Sequence, residues 1–277
     1  MIHQDKTSER DYYDQLFSSR KRFDQFRDDR LYEMVASAAR HATAGHIALD
    51  LGCGSGTQAL CLMREGFAVV SADLSSEAAA LCRANTAGSK QLLGVVNADA
   101  ESLPFRDASM DACICSLFLH HFKSLETVAA ELRRVVRPGG VVVATDANAH
   151  NPFVWLFFNV IHRVHRLPWV TPDQRAITST ELAESFGRHG FGEFQFSSFA
   201  TDLRRDWLGR SLAFSVNFHL RRSLLTMSQF ILPPLARGNG LLSTFRRMPD
   251  DVEPSRSSER SVVKARVAGA PHAQRNV

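Results

Sequence analysis

The sequence predicts an α/β fold, a mostly parallel sheet with helices on both faces. Three observations predict it. An apolar run, Ile47–Leu51, ends in glycines at alternate positions, Gly52, Gly54 and Gly56. From there to Asp146, short apolar runs alternate with helical patterns, the order that buries a parallel sheet between helices. Several of those runs end in an acid, Asp73, Asp99 and Asp146, at the strand ends where open sheets of this kind bind ligands.

The first element is the most specific. Ala48–Thr57 reads Ala-Leu-Asp-Leu-Gly-Cys-Gly-Ser-Gly-Thr. Glycine permits positive φ and lets a ligand approach the backbone closely, and the helix that follows starts with unpaired N–H groups. A dinucleotide fingerprint places its third glycine three residues after the second. Thr57 holds that place here, and the glycine comes one residue earlier. Asp50, inside the strand, would repel a pyrophosphate; it suits a ligand with positive groups and no phosphate. The stretch resembles motif I of the class I S-adenosylmethionine (AdoMet)-dependent methyltransferases, D-x-G-x-G-x-G, and matches it at every fixed position. AdoMet carries an α-ammonium and a sulfonium.

The following elements agree with the order of that family. Phe67–Ser75 reads as a second strand ending in Asp73, within range of a ribose-binding carboxylate. Ser75-Ser76-Glu77 then starts a helix. Gly94–Asp99 is a third short strand, and Ala100-Glu-Ser-Leu-Pro-Phe105 after it resembles the family's adenine-side segment. Met110–Leu117 is a fourth strand, followed by Phe118-Leu-His-His-Phe122. Leu132–Gly140 is a helix with a Pro-Gly-Gly break, and Val141–Asp146 is the fifth strand. Thr178-Ser-Thr-Glu181 is a capping box for a helix over Glu181–His189. Gly190–Phe199 reads as strand six and Gly240–Arg246 as strand seven.

The resemblance implies a Rossmann-like class I methyltransferase fold: a seven-stranded, mostly parallel sheet in the order 3-2-1-4-5-7-6, with a helical substrate cap. It also implies residue roles. Gly52, Gly54 and Gly56 shape the turn around the methionine portion, with Cys53 inside that turn. Asp50 orients this portion through the ammonium or a water. Asp73 with Leu74 takes the ribose, Asp99 with Ala100 the adenine, and Ser116 lies under the methionine end. His120, His121 and Asp146 resemble the Leu-His-His plus strand-end Asp arrangement of methyltransferases that act on sugars and natural products. One histidine, either His120 or His121, is the expected base, since its pKa lies near neutrality. Asp146 orients it or binds substrate. The alternative is that His121 packs under the loop while His120 lines the pocket.

Length and composition bound the rest. The chain of 277 residues accommodates one large α/β domain with additions. Residues 1–45 read as a helical segment, with Tyr12, Tyr13, Phe17 and Phe23 available either to cover the cofactor or to pack in the core. Residues 46–248 are the methyltransferase domain, with an AdoMet-binding core at 46–146 and cap helices and last strands at 147–248. Residues 249–277, rich in Ser, Arg, Pro and Ala, are expected to stay disordered. No secretory h-region is visible, and the five cysteines show no metal spacing, so a cytoplasmic, reduced protein without a metal is expected.

The substrate is set by the least familiar region. Asn151–Leu167 is an apolar helix with a basic final turn, and its longest apolar stretch, Phe153–Ile161, falls far short of the roughly 18 residues of a membrane span. Asp146-Ala-Asn-Ala-His-Asn-Pro-Phe153 loosely resembles the Glu-Pro-Asn-x-x-Asn-Pro segment of methyltransferases in surface-polysaccharide and lipid-type clusters. From Arg204 to Arg247 the chain carries eight arginines and one acid, Asp206. Such a stretch can lie on a membrane surface, grip an anionic lipid-linked substrate, or form a helical cap with a solvated arginine face. The net charge of +4 is modest and no nucleic-acid module is visible, so nucleic acid is not an expected partner. The N-P-P-[YF] motif of amino-targeting enzymes is absent after strand four. The expected function is methyl transfer from AdoMet to a small-molecule or lipid-linked acceptor, at oxygen, with nitrogen and carbon open. The alternatives are other chemistry on the same fold or a non-catalytic AdoMet-binding subunit.

Overall fold

The computed structural model describes residues 6–18, 29–165, 171, 173–200 and 232–251. Two helices, α1 (Lys6–Ser18) and α2 (Asp29–Ala42), precede a seven-stranded sheet. Its strands are β1 (Ile47–Leu51), β2 (Ala68–Asp73), β3 (Leu92–Asn97), β4 (Met110–Ser116), β5 (Val136–Ala147), β6 (Phe191–Phe199) and β7 (Gly240–Arg247). The helices between them are α3 (Thr57–Arg64), α4 (Ser76–Thr86), α5 (Glu126–Val135), α6 (Pro152–Leu156), α7 (His162–His165) and α8 (Ser179–Arg188). The strand order is β3-β2-β1-β4-β5-β7-β6, as expected. β1 to β5 pair in parallel, and β7 runs antiparallel between β5 and β6.

The alternation of side chains along each strand decides which helices they meet. Ala112, Ile114, Val141 and Val143 pack on one face against Val35 of α2 and Leu62 of α3. Cys113, Cys115, Val142 and Ala144 turn to the other face, toward Val128 and Leu132 of α5 and Phe186 of α8. A sheet covered on both sides needs such unbroken apolar runs. The five cysteines are free and buried, as small hydrophobes.

Two boundaries differ from the sequence reading. β5 begins at Val136, before the Pro-Gly-Gly break. Val136 pairs with Met110, Arg137–Gly140 bulge out, and pairing resumes at Ala112 and Val141. Arg247 Nη1 donates to the Val136 carbonyl at 2.6 Å, which ties the residue ahead of the bulge to the sheet. The helix after β5 is interrupted: a π-helical turn, Phe157–Ile161, separates α6 from α7. Its start is explained by Asn151, whose Oδ1 accepts from Phe153 N at 3.0 Å ahead of Pro152. Asn148 Nδ2 donates to the carbonyls of Leu235 and Gly238, at 2.8 and 2.9 Å. Both asparagines of the N-x-x-N-P segment therefore have structural work within the fold.

Among the described residues, no helix is long and apolar enough to cross a membrane. Most of the arginine-rich stretch, Phe23, and the tail beyond Asp251 lie outside the described residues.

Candidate active site at the carboxyl ends of β1 to β4

The sheet reverses direction of growth between β1 and β4, and a crevice opens there. The loops after β1, β2, β3 and β4 form its floor, and α1 lies across it as a roof. Gly52, Gly54, Asp73, Asp99, Ala100 and His121 line it from below, and Lys6, Glu9, Tyr13 and Phe17 from α1 above.

The first wall is the glycine turn. Gly52 and Gly54 take φ of 73° and 49°, the left-handed region open to glycine without steric cost. A Cβ on Gly52 would stand 2.3 Å from Cδ2 of Phe118, and one on Gly54 would stand 3.3 Å from Cζ of Phe17. Gly56 serves packing instead: Cys82 Sγ and Thr86 fill the space beside it. The second wall is Asp73. Its Oδ2 accepts from Gly54 N and its Oδ1 from Ser75 N, both at 2.9 Å. Burial pushes this carboxyl above the ordinary range, while the two N–H groups and the field of His121 oppose the shift. Ser75 caps α4 by accepting from Ala78 N at 3.1 Å, and its hydroxyl donates to Asp14 of α1 at 2.6 Å.

The third wall follows β3. Asp99 Oδ1 accepts from Glu101 N at 2.9 Å. Lys6 pairs with Asp99 Oδ2 at 2.6 Å and with Glu101. Leu103–Phe105 is clamped to α5: Arg134 donates to the carbonyls of Leu103 and Phe105 at 2.8 and 2.6 Å, and Glu131 accepts from Leu103 N at 2.6 Å.

The fourth wall is the loop after β4. Leu117 holds a left-handed φ of 53°, unfavourable for a branched side chain, and a short 3-10 turn, Leu119–His121, follows. This reversal sends the two histidines to different places. His120 is buried behind the cleft wall. Its Nδ1 lies 2.9 Å from Asp146 Oδ1, which also accepts from its backbone N–H, and its Nε2 lies 2.9 Å from the amide nitrogen of Gln174. With that amide donating, His120 is the neutral Nδ1–H tautomer. Burial, then the nearby His121 and Arg175, hold its pKa well below the usual imidazole range. Burial pushes the Asp146 carboxyl well up, opposed by the His120 backbone N–H and Arg175. His121 faces the cleft. Its Nδ1 lies 2.7 Å from Glu9 Oε1 and its Nε2 3.3 Å from the Tyr13 hydroxyl.

The site residues expected from sequence therefore divide. Gly52, Gly54, Asp73, Leu74, Asp99, Ala100 and His121 line one cleft. Asp50, Cys53, Gly56, Ser116, His120 and Asp146 stand behind its walls. The Ser116 hydroxyl donates to Gln58 at 2.6 Å, and Cys53 is buried against Cys82. The expected alternative, His121 under the loop and His120 in the pocket, is reversed. Sequence reasoning missed Lys6, Glu9, Leu117 and Phe118. The first two share a helical face with Tyr13 and Phe17, at spacings of three, four and four residues; polarity hides that face from a search for apolar stripes.

Residues 49–144 match the family model described as a methyltransferase domain. A demethylmenaquinone methyltransferase of Streptomyces avermitilis is 30% identical over 162 residues, 57% of this chain and 67% of that protein. This chain belongs to the class I AdoMet-dependent methyltransferases. A malonyl-[acyl-carrier protein] O-methyltransferase of Serratia marcescens is 37% identical over 36% of this chain and 37% of that enzyme. The methyltransferase thus spans about two thirds or less of the curated relatives' length. A Haloferax volcanii putative methyltransferase, solved with the Trm112 activator, shares the fold at a TM-score of 0.63 and 19% identity, covering 90% of this chain and 100% of that one.

The residues of this methyltransferase fit AdoMet. Asp50 Oδ2 is buried with no hydrogen-bond partner among the described residues. Burial, with Cys82 and Asp73 nearby, pushes its carboxyl well up, a cost that a cationic group over the turn offsets. Asp73 and Asp99 present carboxylate oxygens that would accept from ribose hydroxyls and an adenine amino group. A phosphate would meet two acids there.

Proposed function

We propose that the protein transfers a methyl group from AdoMet to a hydroxyl of a small or lipid-linked acceptor, with His121 as the base. Bound AdoMet supplies an electrophilic methyl carbon on its sulfonium. The chain's own residues do the rest. Gly52 and Gly54 leave the turn open to the methionine portion, while Asp50 stands buried behind that turn. Asp73 and Asp99 hold the nucleoside end. His121 Nε2 takes the acceptor proton, and much of the rate comes from holding the acceptor in line.

One observation carries this reading: of the two histidines, His121 lines the same cleft as the glycine turn and both acids. His120 keeps its ring nitrogens on Asp146 and Gln174, so in this proposal the pair Asp146–His120 braces the loop. The relatives named above act, by their names, on a quinone precursor and on an acyl carrier, which supports a small or lipid-type acceptor.

Calorimetric titration with AdoMet tests the cofactor assignment, and S-adenosylhomocysteine release with a panel of hydroxylated lipids and small molecules tests the transfer. His121→Ala should abolish release at unchanged AdoMet affinity. Full turnover in that variant would refute the base assignment.

A further inference from the structure

We infer that Glu9 is a positioning residue whose carboxylate fixes the tautomer and ring plane of His121, so that α1 supplies part of the transfer site. The inference rests on the assignment of His121 as the base.

Glu9 is the buried residue of α1, a helix of 13 residues with an otherwise half-buried or exposed face. Its relative exposure is 7%, and that of His121 is 8%. A buried carboxylate is costly without donors, and Glu9 has two polar neighbours. His121 Nδ1 lies 2.7 Å from Oε1, and the Thr171 hydroxyl donates to the same oxygen at 3.2 Å. Thr171 is itself buried and lies 162 positions away in sequence, so the acid is held from both sides.

The proton inventory then follows. The Thr171 hydroxyl also lies 3.5 Å from this Nδ1; with its proton given to Glu9, the Nδ1 proton is the one that faces the carboxylate, which only accepts. In that tautomer Nε2 carries the lone pair, and the Tyr13 hydroxyl, 3.3 Å away, is placed to donate to it. A hydroxyl acceptor would donate to the same nitrogen. The ring edge that must be basic is therefore turned to the cleft, and the edge that must be fixed is turned to Glu9. Each histidine of the pair has its own acid: Asp146 serves His120, and Glu9 serves His121. Sequence order hides the second pairing, because Glu9 precedes the glycine turn while Asp146 ends β5.

The test is nitrogen-detected magnetic resonance of the full chain with 15N-labelled histidine and AdoMet added, the His121 signals being assigned by their loss in His121→Gln. The wild type should show Nδ1–H. Glu9→Leu, which keeps bulk and removes the acceptor, should lose that state while AdoMet affinity is retained, and its kcat should fall with KM for the acceptor held. Glu9→Asp should restore the tautomer in part. An Nε2–H or mixed tautomer in the wild type would overturn the inference, whether or not Glu9→Leu folds. An unchanged tautomer in folded Glu9→Leu would overturn it also. Failure of the base assignment reads differently: His121→Gln would turn over normally while the tautomer results stood.

Discussion

His120→Phe should destabilise the fold far more than a loop substitution usually does. The change removes two ring hydrogen bonds, to Asp146 and Gln174, each 2.9 Å long. It leaves Asp146, 1% exposed, with its Oδ2 already lacking a partner among the described residues. Losing the neutral ring's hydrogen bond to a buried carboxyl costs about 1.5–3 kcal/mol, against a total stability of roughly 5–15 kcal/mol. With a urea m-value of about 1–3 kcal/mol/M, the unfolding midpoint should fall by roughly 0.5–3 M. Adding Asp146→Asn should recover part of the loss, because the buried charge is then gone while the backbone N–H at position 120 keeps its acceptor.

The penalty should also depend on pH, in one direction. In the wild type, His120 binds a proton less readily folded than unfolded, so it lends stability above the ordinary histidine pKa that is lost as pH falls below it. Asp146 already binds its proton more readily folded in the wild type; losing the His120 ring donor pushes it further the same way, so the variant loses additional stability as pH rises. Both make the penalty smaller at about pH 5.5 than at about pH 7.5. Urea unfolding followed by circular dichroism measures it. A loss under about 1 kcal/mol, or no recovery in the double variant, would refute the bracing role.

Gly52→Ala should strip AdoMet binding in calorimetry, since the left-handed φ costs about 1–2 kcal/mol and the new methyl meets Phe118 at 2.3 Å. Asp73→Ala should weaken AdoMet by roughly 1.5–3 kcal/mol for each charged hydrogen bond lost; an unchanged dissociation constant would remove Asp73 from the nucleoside site. Ser75→Ala should lower thermal stability by about 1 kcal/mol through the α4 cap, and more if the Asp14 contact also anchors α1. Leu117→Asn should raise stability by up to about 1 kcal/mol through relieved left-handed strain, read as a higher melting temperature.

Much of the fold was legible because each strand carries its own evidence. The glycine turn, the acids after β2 and β3, and the valine run of β5 are local signals, and they fell in the order the sheet uses. The break at Pro138–Gly140 misled because Val136 is tied to the sheet by Arg247, more than a hundred residues away. The site was legible in the same proportion. Asp73 and Asp99 follow from strand ends, whereas the parting of His120 from His121 depends on the turn at Leu117, which no leucine announces. Glu9 was illegible for a different reason. Its partners, His121 and Thr171, lie in two other loops, and a glutamate on a charged helix looks like any solvated side chain.

The ties of α1 set an order of events during synthesis. Its residues leave the ribosome before those of the sheet, yet their partners are Asp99, His121 and Thr171. A lone 13-residue helix is marginal in water, so α1 completes its contacts only after Thr171 has emerged. A segment made before the sheet is thus settled after it, and the cleft gains its roof after its floor is built.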